Sequence, residues 1–221
     1  FMILANVAAA ETLEKVSAPC MYRVHDKPDP VKVEALRSFI AGLGLSFPGA
    51  GTITKPALFT KLLRQAQETP EAHVVNTIVL RTQAQAVYSP DNLGHFGLAL
   101  SRYAHFTSPI RRYADLLVHR SLVRSLKLGP GGLSEREAAK FDEIGEHISK
   151  TERRAAEAER DAVDRFTALY LEDRVGAQFS GMTGKQFRFR PALDVAGNQH
   201  RAMRALDLQH AAHRLSLIHI S

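Results

Sequence analysis

Side chains with chemistry to offer crowd one short stretch, residues 95–119, which reads HFGLALSRYAHFTSPIRRYADLLVH. Ser108 followed by Pro109 is a helix-start signal, because the hydroxyl can cap and proline's fixed φ suits the first helical position. Such a start, preceded by Thr107, leaves backbone N–H groups unpaired at the positive end of the helix dipole, which is a ready anion site. Arg111 falls in that first turn, where its planar guanidinium can grip a phosphate through two hydrogen bonds. A helix from Pro109 also places Arg111, Asp115 and His119 on one face and turns Arg112 elsewhere. The plainer reading is a surface ion pair at helical spacing, worth under about 1 kcal/mol. His95, His105 and His119 read equally well as packed or surface histidines, since they lack the H-E-x-x-H spacing of a zinc site. Tyr103 and Tyr113 could stack on bases or belong to the core.

Those residues need elements to position them. Ile3, Val7, Ala10, Leu13 and Val16 recur at helical spacing and predict a helix over 1–16. A short strand is expected within 19–26. Asp29 before Pro30 opens a helix that runs to about Gly42, with Val33, Leu36, Phe39 and Ile40 on one side. Thr54 and Thr69, each just ahead of a proline, predict helices over about 55–67 and 70–87. Residues 89–92 carry turn chemistry, the apolar run 95–100 suits a strand, and a helix should span 107–126. Gly129, Pro130, Gly131 and Gly132 make a loop. Ser134 and Glu137 match a capping box, ahead of a long helical region reaching about Arg174. On that helix Glu159 shares a stripe with Ala162 and Phe166, so it is either a buried carboxylate that needs a partner or the solvated edge of the stripe. Arg153 and Arg154 read as a solvated face, or as a contact for a polyanion. Residues 178–184 look like the first strand of a β-rich unit, and beyond about 185 no period survives.

Composition bounds the class. The chain has 221 residues, 45% of them hydrophobic and 24% charged, with Lys+Arg 29 against Asp+Glu 23 and a net charge of +6. That excess permits a polyanionic partner without requiring one. Cys20 is the single cysteine, which excludes an internal disulfide and a cysteine-only metal site. No run approaches the roughly 20 apolar residues of a membrane span. A cytoplasmic protein without a membrane partner is expected. The fold class expected is α+β, mostly helical.

The 95–119 segment resembles the signature of the ribonuclease II/ribonuclease R (RNB domain) family of exoribonucleases, in which T-S-P-I-R-[RK]-Y-x-D-x-x-x-H recurs behind an H-[FY]-x-L run. Three further stretches are similar and occur in the same order: Phe1-Met2-Ile3-Leu4-Ala5-Asn6, Tyr22-Arg23-Val24-His25-Asp26-Lys27-Pro28 and Ala158-Glu159-Arg160-Asp161. The resemblance implies that residues 1–176 are the C-terminal part of an RNB catalytic domain. Residues 177–221 would then begin a truncated or frameshifted OB-fold barrel. It implies a processive, metal-dependent 3′→5′ exoribonuclease that takes the 3′ end of single-stranded RNA and releases nucleoside 5′-monophosphates. Arg111 would clamp the phosphate near the scissile bond. Glu159 would hold the terminal nucleotide, with Ser108, Thr107 and Tyr103 as further substrate contacts.

The family's metal-binding aspartates form a cluster upstream of the Phe1–Asn6 stretch, and Asp26 and Asp29 do not match it. The chain is therefore expected to be a fragment, inactive alone and binding no metal, of a monomeric parent that uses Mg or Mn. Two other readings stay open: a non-catalytic RNA-binding relative of the same fold, and a helical interaction domain without an RNA role.

Overall fold

The computed structural model describes residues 1–49, 51 and 55–172. The expected β-rich unit after 176 lies outside the described residues. The chain divides into two compact units, residues 1–149 and 150–221. The elements are α1 (Met2–Lys15), β1 (Tyr22–Val24), α2 (Pro30–Ala41), α3 (Ala57–Ala66), α4 (Ala72–Thr82), β2 (Val87–Ser89), α5 (Tyr113–Ser125), α6 (Glu135–Ala138) and α7 (Phe141–Glu172). The fold is helix-rich with one small sheet. Among the described residues no helix is long and apolar enough to cross a membrane.

The first unit holds two apolar clusters. One gathers Ala9, Ala10 and Leu13 of α1, Met21 and Val24 of β1 and its approach, Leu117 and Val118 of α5, and Phe141 at the start of α7. The other is made by α2, α3 and α4, with Val33, Leu36, Ile40, Phe59, Leu62 and Val75 at its centre. Asp29 caps α2 as its sequence predicts: the side chain accepts from Val31 N–H, and Pro30 occupies the first turn. Ser134 and Glu137 form the full capping box of α6.

β1 and β2 pair antiparallel, with Arg23 opposite Tyr88. Loop backbone extends this small platform. Arg23 N–H donates to Tyr103 O, His25 N–H to Gly94 O, and Phe96 N–H to His25 O. The platform sits against α7, where Ser149 Oγ accepts from Tyr88 N–H at 2.9 Å.

Several elements differ from expectation. Residues 95–100 are not a strand; Phe96–Leu98 form a single 3-10 turn that ends on Ala99 at φ 55°. His25 Nδ1 accepts Gly97 N–H at 2.9 Å, and that bond holds the turn. The helix expected over 70–87 is shorter at both ends. Thr69 ties its hydroxyl to Ala66 O, closing α3 instead of opening α4. At the other end Val87 and Tyr88 leave helix for strand because β1 supplies a pairing edge. On α1, Ile3 and Val16 are exposed while Asn6 is buried, so the buried face is rotated from the apolar stripe toward Asn6, Ala9, Ala10 and Leu13.

Candidate RNA-contact loop

The 107–126 segment folds differently from its expected helix, and the difference defines the site. Ser108 caps no helix. Residues 108–111 form a turn in which Arg111 N–H and Arg112 N–H both donate to Ser108 O. The helix α5 begins at Tyr113, with Arg112 as its extended N-terminal flank at φ −125° and ψ 117°. The anion site expected at a Ser108 helix start is therefore absent as such.

Asp115, in the first turn of α5, is fully buried. Its Oδ1 accepts from Ser108 N–H at 2.8 Å, and Arg112 grips both carboxylate oxygens, Nε to Oδ2 and Nη2 to Oδ1, each at 2.8 Å. The partner of Asp115 is thus Arg112, not Arg111. A carboxylate buried without such partners would be strongly unfavourable. Here both oxygens are used, and the acid also lies at the favourable end of the α5 dipole.

Two more polar side chains hold the same loop from its other end. Asn6, buried on α1, accepts Phe106 N–H on Oδ1 at 3.0 Å and donates from Nδ2 to Tyr103 Oη at 2.9 Å. His119 Nε2 lies 2.8 Å from Phe106 O, and its ring stacks on Phe106 at 4.2 Å between centroids. Both amide bonds of the Phe106 backbone are committed, and the loop is pinned at Phe106 and again at Ser108.

Tyr103 is 7% exposed, with His95 and His105 against its ring edge-on at 5.4 and 5.6 Å. Of its two readings the structure agrees with the core one: its ring is packed and its hydroxyl is held by Asn6. His105 pairs through Nδ1 with Tyr88 Oη at 2.9 Å, and the Arg23 guanidinium covers the Tyr88 ring at 4.5 Å. His95 stacks on His25 at 5.1 Å. Burial, then the neighbouring His25, pulls His95 down to about 4, so it is neutral at physiological pH. All three histidines of the segment serve packing.

These pinned positions leave a short tip exposed. Ile110 is fully exposed, and Arg111 is exposed too. Among the described residues the Arg111 side chain makes no hydrogen bond or ion pair, whereas neighbouring Arg112, Arg120 and Arg124 all have carboxylate partners. Thr107 and Ser108 are half-buried beside it. Arg111 is thus a free cation on a loop whose base is held by buried bonds. Glu159 belongs to the second unit and is exposed on α7, as is Phe166 at 71%. Of the two readings of Glu159, the structure agrees with the solvated one: among the described residues this stretch of α7 shows its apolar side chains Val163, Phe166 and Leu169 to solvent.

A cleft of about 650 Å³ opens elsewhere in the first unit, lined by His25, Lys27, Lys55, Asn92, His95 and Phe96 among others. Several of its polar groups are already committed: His25 Nδ1 to Gly97 N–H, His95 Nδ1 to Leu98 N–H, and Asn92 to Glu14 and Gly94. Arg111 does not line it. Among the described residues no three His, Cys, Asp or Glu side chains come together to hold a metal ion. These residues do not themselves fit the family's metal site.

Sequence reasoning missed Asn6, Arg112 and Asp115 as the supports of the loop. Asn6 carried a signal, a polar residue one turn before Ala9, Ala10 and Leu13 on the face of α1 that is buried.

The RNB domain family model matches residues 1–128, which include this helix-rich fold and its pinned Thr-Ser-Pro-Ile-Arg loop. The chain belongs to that family. Its similarity is to ribonuclease R in particular. It is 46% identical over 182 residues to ribonuclease R of Aquifex aeolicus, covering 82% of this chain and 26% of that protein. Among solved structures, Mycoplasma genitalium RNase R in complex with ribose methylated single-stranded RNA superposes with a TM-score of 0.75 at 30% identity, over 82% of this chain and 29% of that one. Yeast Ssd1, a pseudonuclease, is also similar, with a TM-score of 0.55 and 25% identity over 67% of this chain and 19% of its own. The chain spans about a quarter of the length of the curated relatives it matches.

Proposed function

We propose that this chain forms part of a longer, processive 3′→5′ exoribonuclease that hydrolyses single-stranded RNA to nucleoside 5′-monophosphates. The observation that carries the reading is the exposed, unpaired Arg111 on a loop fixed by buried hydrogen bonds. A phosphodiester needs a cation that meets the phosphoryl oxygens where charge grows as the bond breaks, and a preorganised cation does this without reorganising at the moment of reaction. Two guanidinium N–H groups of Arg111 would donate to two non-bridging oxygens. Thr107 and Ser108, at the base of the tip, would line the approach of the strand. Glu159 would accept hydrogen bonds from the hydroxyls of the terminal ribose, which distinguish a 3′ end of RNA from an internal residue.

Mg or Mn in the parent would supply the activated water, on carboxylates other than the described ones. The parent would act as a monomer in the cytoplasm.

A second reading has a specific observation behind it: the likeness to a pseudonuclease suits a non-catalytic RNA-binding relative in which the loop survives and hydrolysis is lost. The full-length protein decides between them when given a 5′-labelled oligoribonucleotide and a divalent metal. Stepwise shortening from the 3′ end supports the exoribonuclease. Salt-dependent binding with the label left at full length supports the binding protein.

A further inference from the structure

The Arg112–Asp115 pair is more than an ion pair on a helix. We propose that Asp115 and Arg112 are positioning residues for Arg111, setting the turn from which its guanidinium meets RNA phosphate; this rests on the reading of Arg111 given above.

The argument starts from what each group is bonded to. One oxygen of the Asp115 carboxylate takes a backbone N–H of the turn, at Ser108, and also an Arg112 Nη2; the other takes Arg112 Nε. The side chain therefore ties the first residue of the turn to the residue that follows its tip, across Pro109, Ile110 and Arg111. The turn itself contributes only two bonds to one acceptor, Ser108 O, at 3.3 and 3.1 Å. Two such bonds on a surface turn do not fix a side chain that has no contact of its own. The bidentate fork adds a planar constraint that a lysine or an asparagine cannot reproduce.

Position in the chain strengthens the case. Arg112 is extended, so its side chain and that of Arg111 leave the backbone on different sides. Arg112 is spent inward on Asp115, with its side chain 23% exposed, and Arg111 is left outward. Asp115, fully buried, has no route to a substrate of its own and can act only through the turn. Phe106 is pinned separately by Asn6 and His119, so loosening the Ser108 end should free the tip without unfolding the loop's other end.

A double-mutant cycle in the full-length protein tests this, read as the rate of single-turnover shortening of 5′-labelled single-stranded RNA and as RNA affinity. Asp115→Asn keeps the size and one acceptor but removes the charge that holds Arg112. It should slow shortening by about tenfold or more while changing RNA affinity less than about threefold, and in an Arg111→Ala background it should slow it by less than about twofold. Equal losses in both backgrounds would mean a merely structural role and overturn the proposal. Should Asp115→Asn fail to fold, judged by its melting transition, Arg112→Lys gives the same comparison with the buried acid still facing a cation. A wild-type rate for Arg112→Lys would overturn the proposal. If Arg111→Ala is itself without effect, the role of Arg111 fails and the positioning role with it; if only Arg111→Ala slows the reaction, Arg111 stands and the positioning role alone fails.

Discussion

At the scale of single residues, the ionisable groups around the 103–119 loop are spent on structure, while Arg111 at its tip is exposed. His95 makes a pH prediction. Its folded value lies near 4 against an ordinary 6.5, lowered by burial and by His25, with Arg23 adding to the effect. A histidine held below its ordinary value stabilises the fold above pH 6.5, and that stability is lost as the pH falls toward 4. The melting temperature should drop across this window, and His95→Gln, which cannot take up a proton, should flatten the drop. An unchanged slope in that variant would show that other groups govern the acid limb. Cys20 is the complementary case. Burial, with Glu14 nearby, pushes its thiol up to about 12, so iodoacetamide at pH 8 should label it only after denaturation. Rapid labelling of the native chain would contradict the packing around Met21. Residue types alone located the chemistry of 95–119, but they assigned the wrong arginine to Asp115. With a helix from Pro109, Arg111 falls opposite Asp115; with a turn to Arg111 and a helix from Tyr113, the neighbour is Arg112. The distinction depends on a tertiary bond, Ser108 N–H to Asp115, that no local spacing encodes.

At the scale of elements, the cap signals at Asp29 and Ser134 were legible, whereas those at Thr69 and Ser108 open no helix, and pairings that need a distant partner were not legible. The α2 start at Asp29-Pro30 and the α6 capping box at Ser134 and Glu137 are local chemistry, and both form. β2 was not legible, because Val87, the last residue of an expected helix, and Tyr88 become a strand only when β1 offers an edge. The packing of these elements predicts two substitutions. A methyl group added at Gly145 on α7 would sit 2.8 Å from Tyr88 O and 3.4 Å from Met21 Sδ, closer to a backbone atom than side chains allow. Gly145→Ala should push α7 off the β1–β2 platform at a cost of about 1–3 kcal/mol, seen as a lower denaturant midpoint. A midpoint at or above wild type would mean that α7 does not dock there. Leu13 and Leu117 are both fully buried where α1 meets α5. Truncating either to alanine should cost about 2–5 kcal/mol by the cavity left behind. Because α1 carries Asn6 and α5 carries Asp115 and His119, either cavity should also loosen the loop they pin.

At the scale of the whole molecule, large apolar side chains lie exposed in two places among the described residues. Phe1, Met2, Ile3 and Leu4 are exposed at the start of α1, and Val163, Phe166, Leu169 and Tyr170 along α7. Patches of this kind mark contact with other protein, which agrees with a chain about a quarter as long as its relatives. The isolated 221 residues should therefore self-associate with rising concentration in light scattering, and Leu4→Lys should reduce that association without lowering the melting temperature. A monodisperse monomer at every concentration would contradict it. The family was legible from the sequence because four motifs occur in order. The sequence left Glu159 open between burial and exposure, since a stripe on a helix predicts burial only where an element lies across it.

The most direct test of the central claim is the rate at which the full-length protein, with Arg111→Ala, shortens a 5′-labelled single-stranded RNA under single-turnover conditions. The account predicts a loss of about a hundredfold or more, the scale for removing one preorganised donor from a transition state, with RNA affinity little changed. A wild-type rate would contradict it, and would leave the exposed arginine as a surface charge.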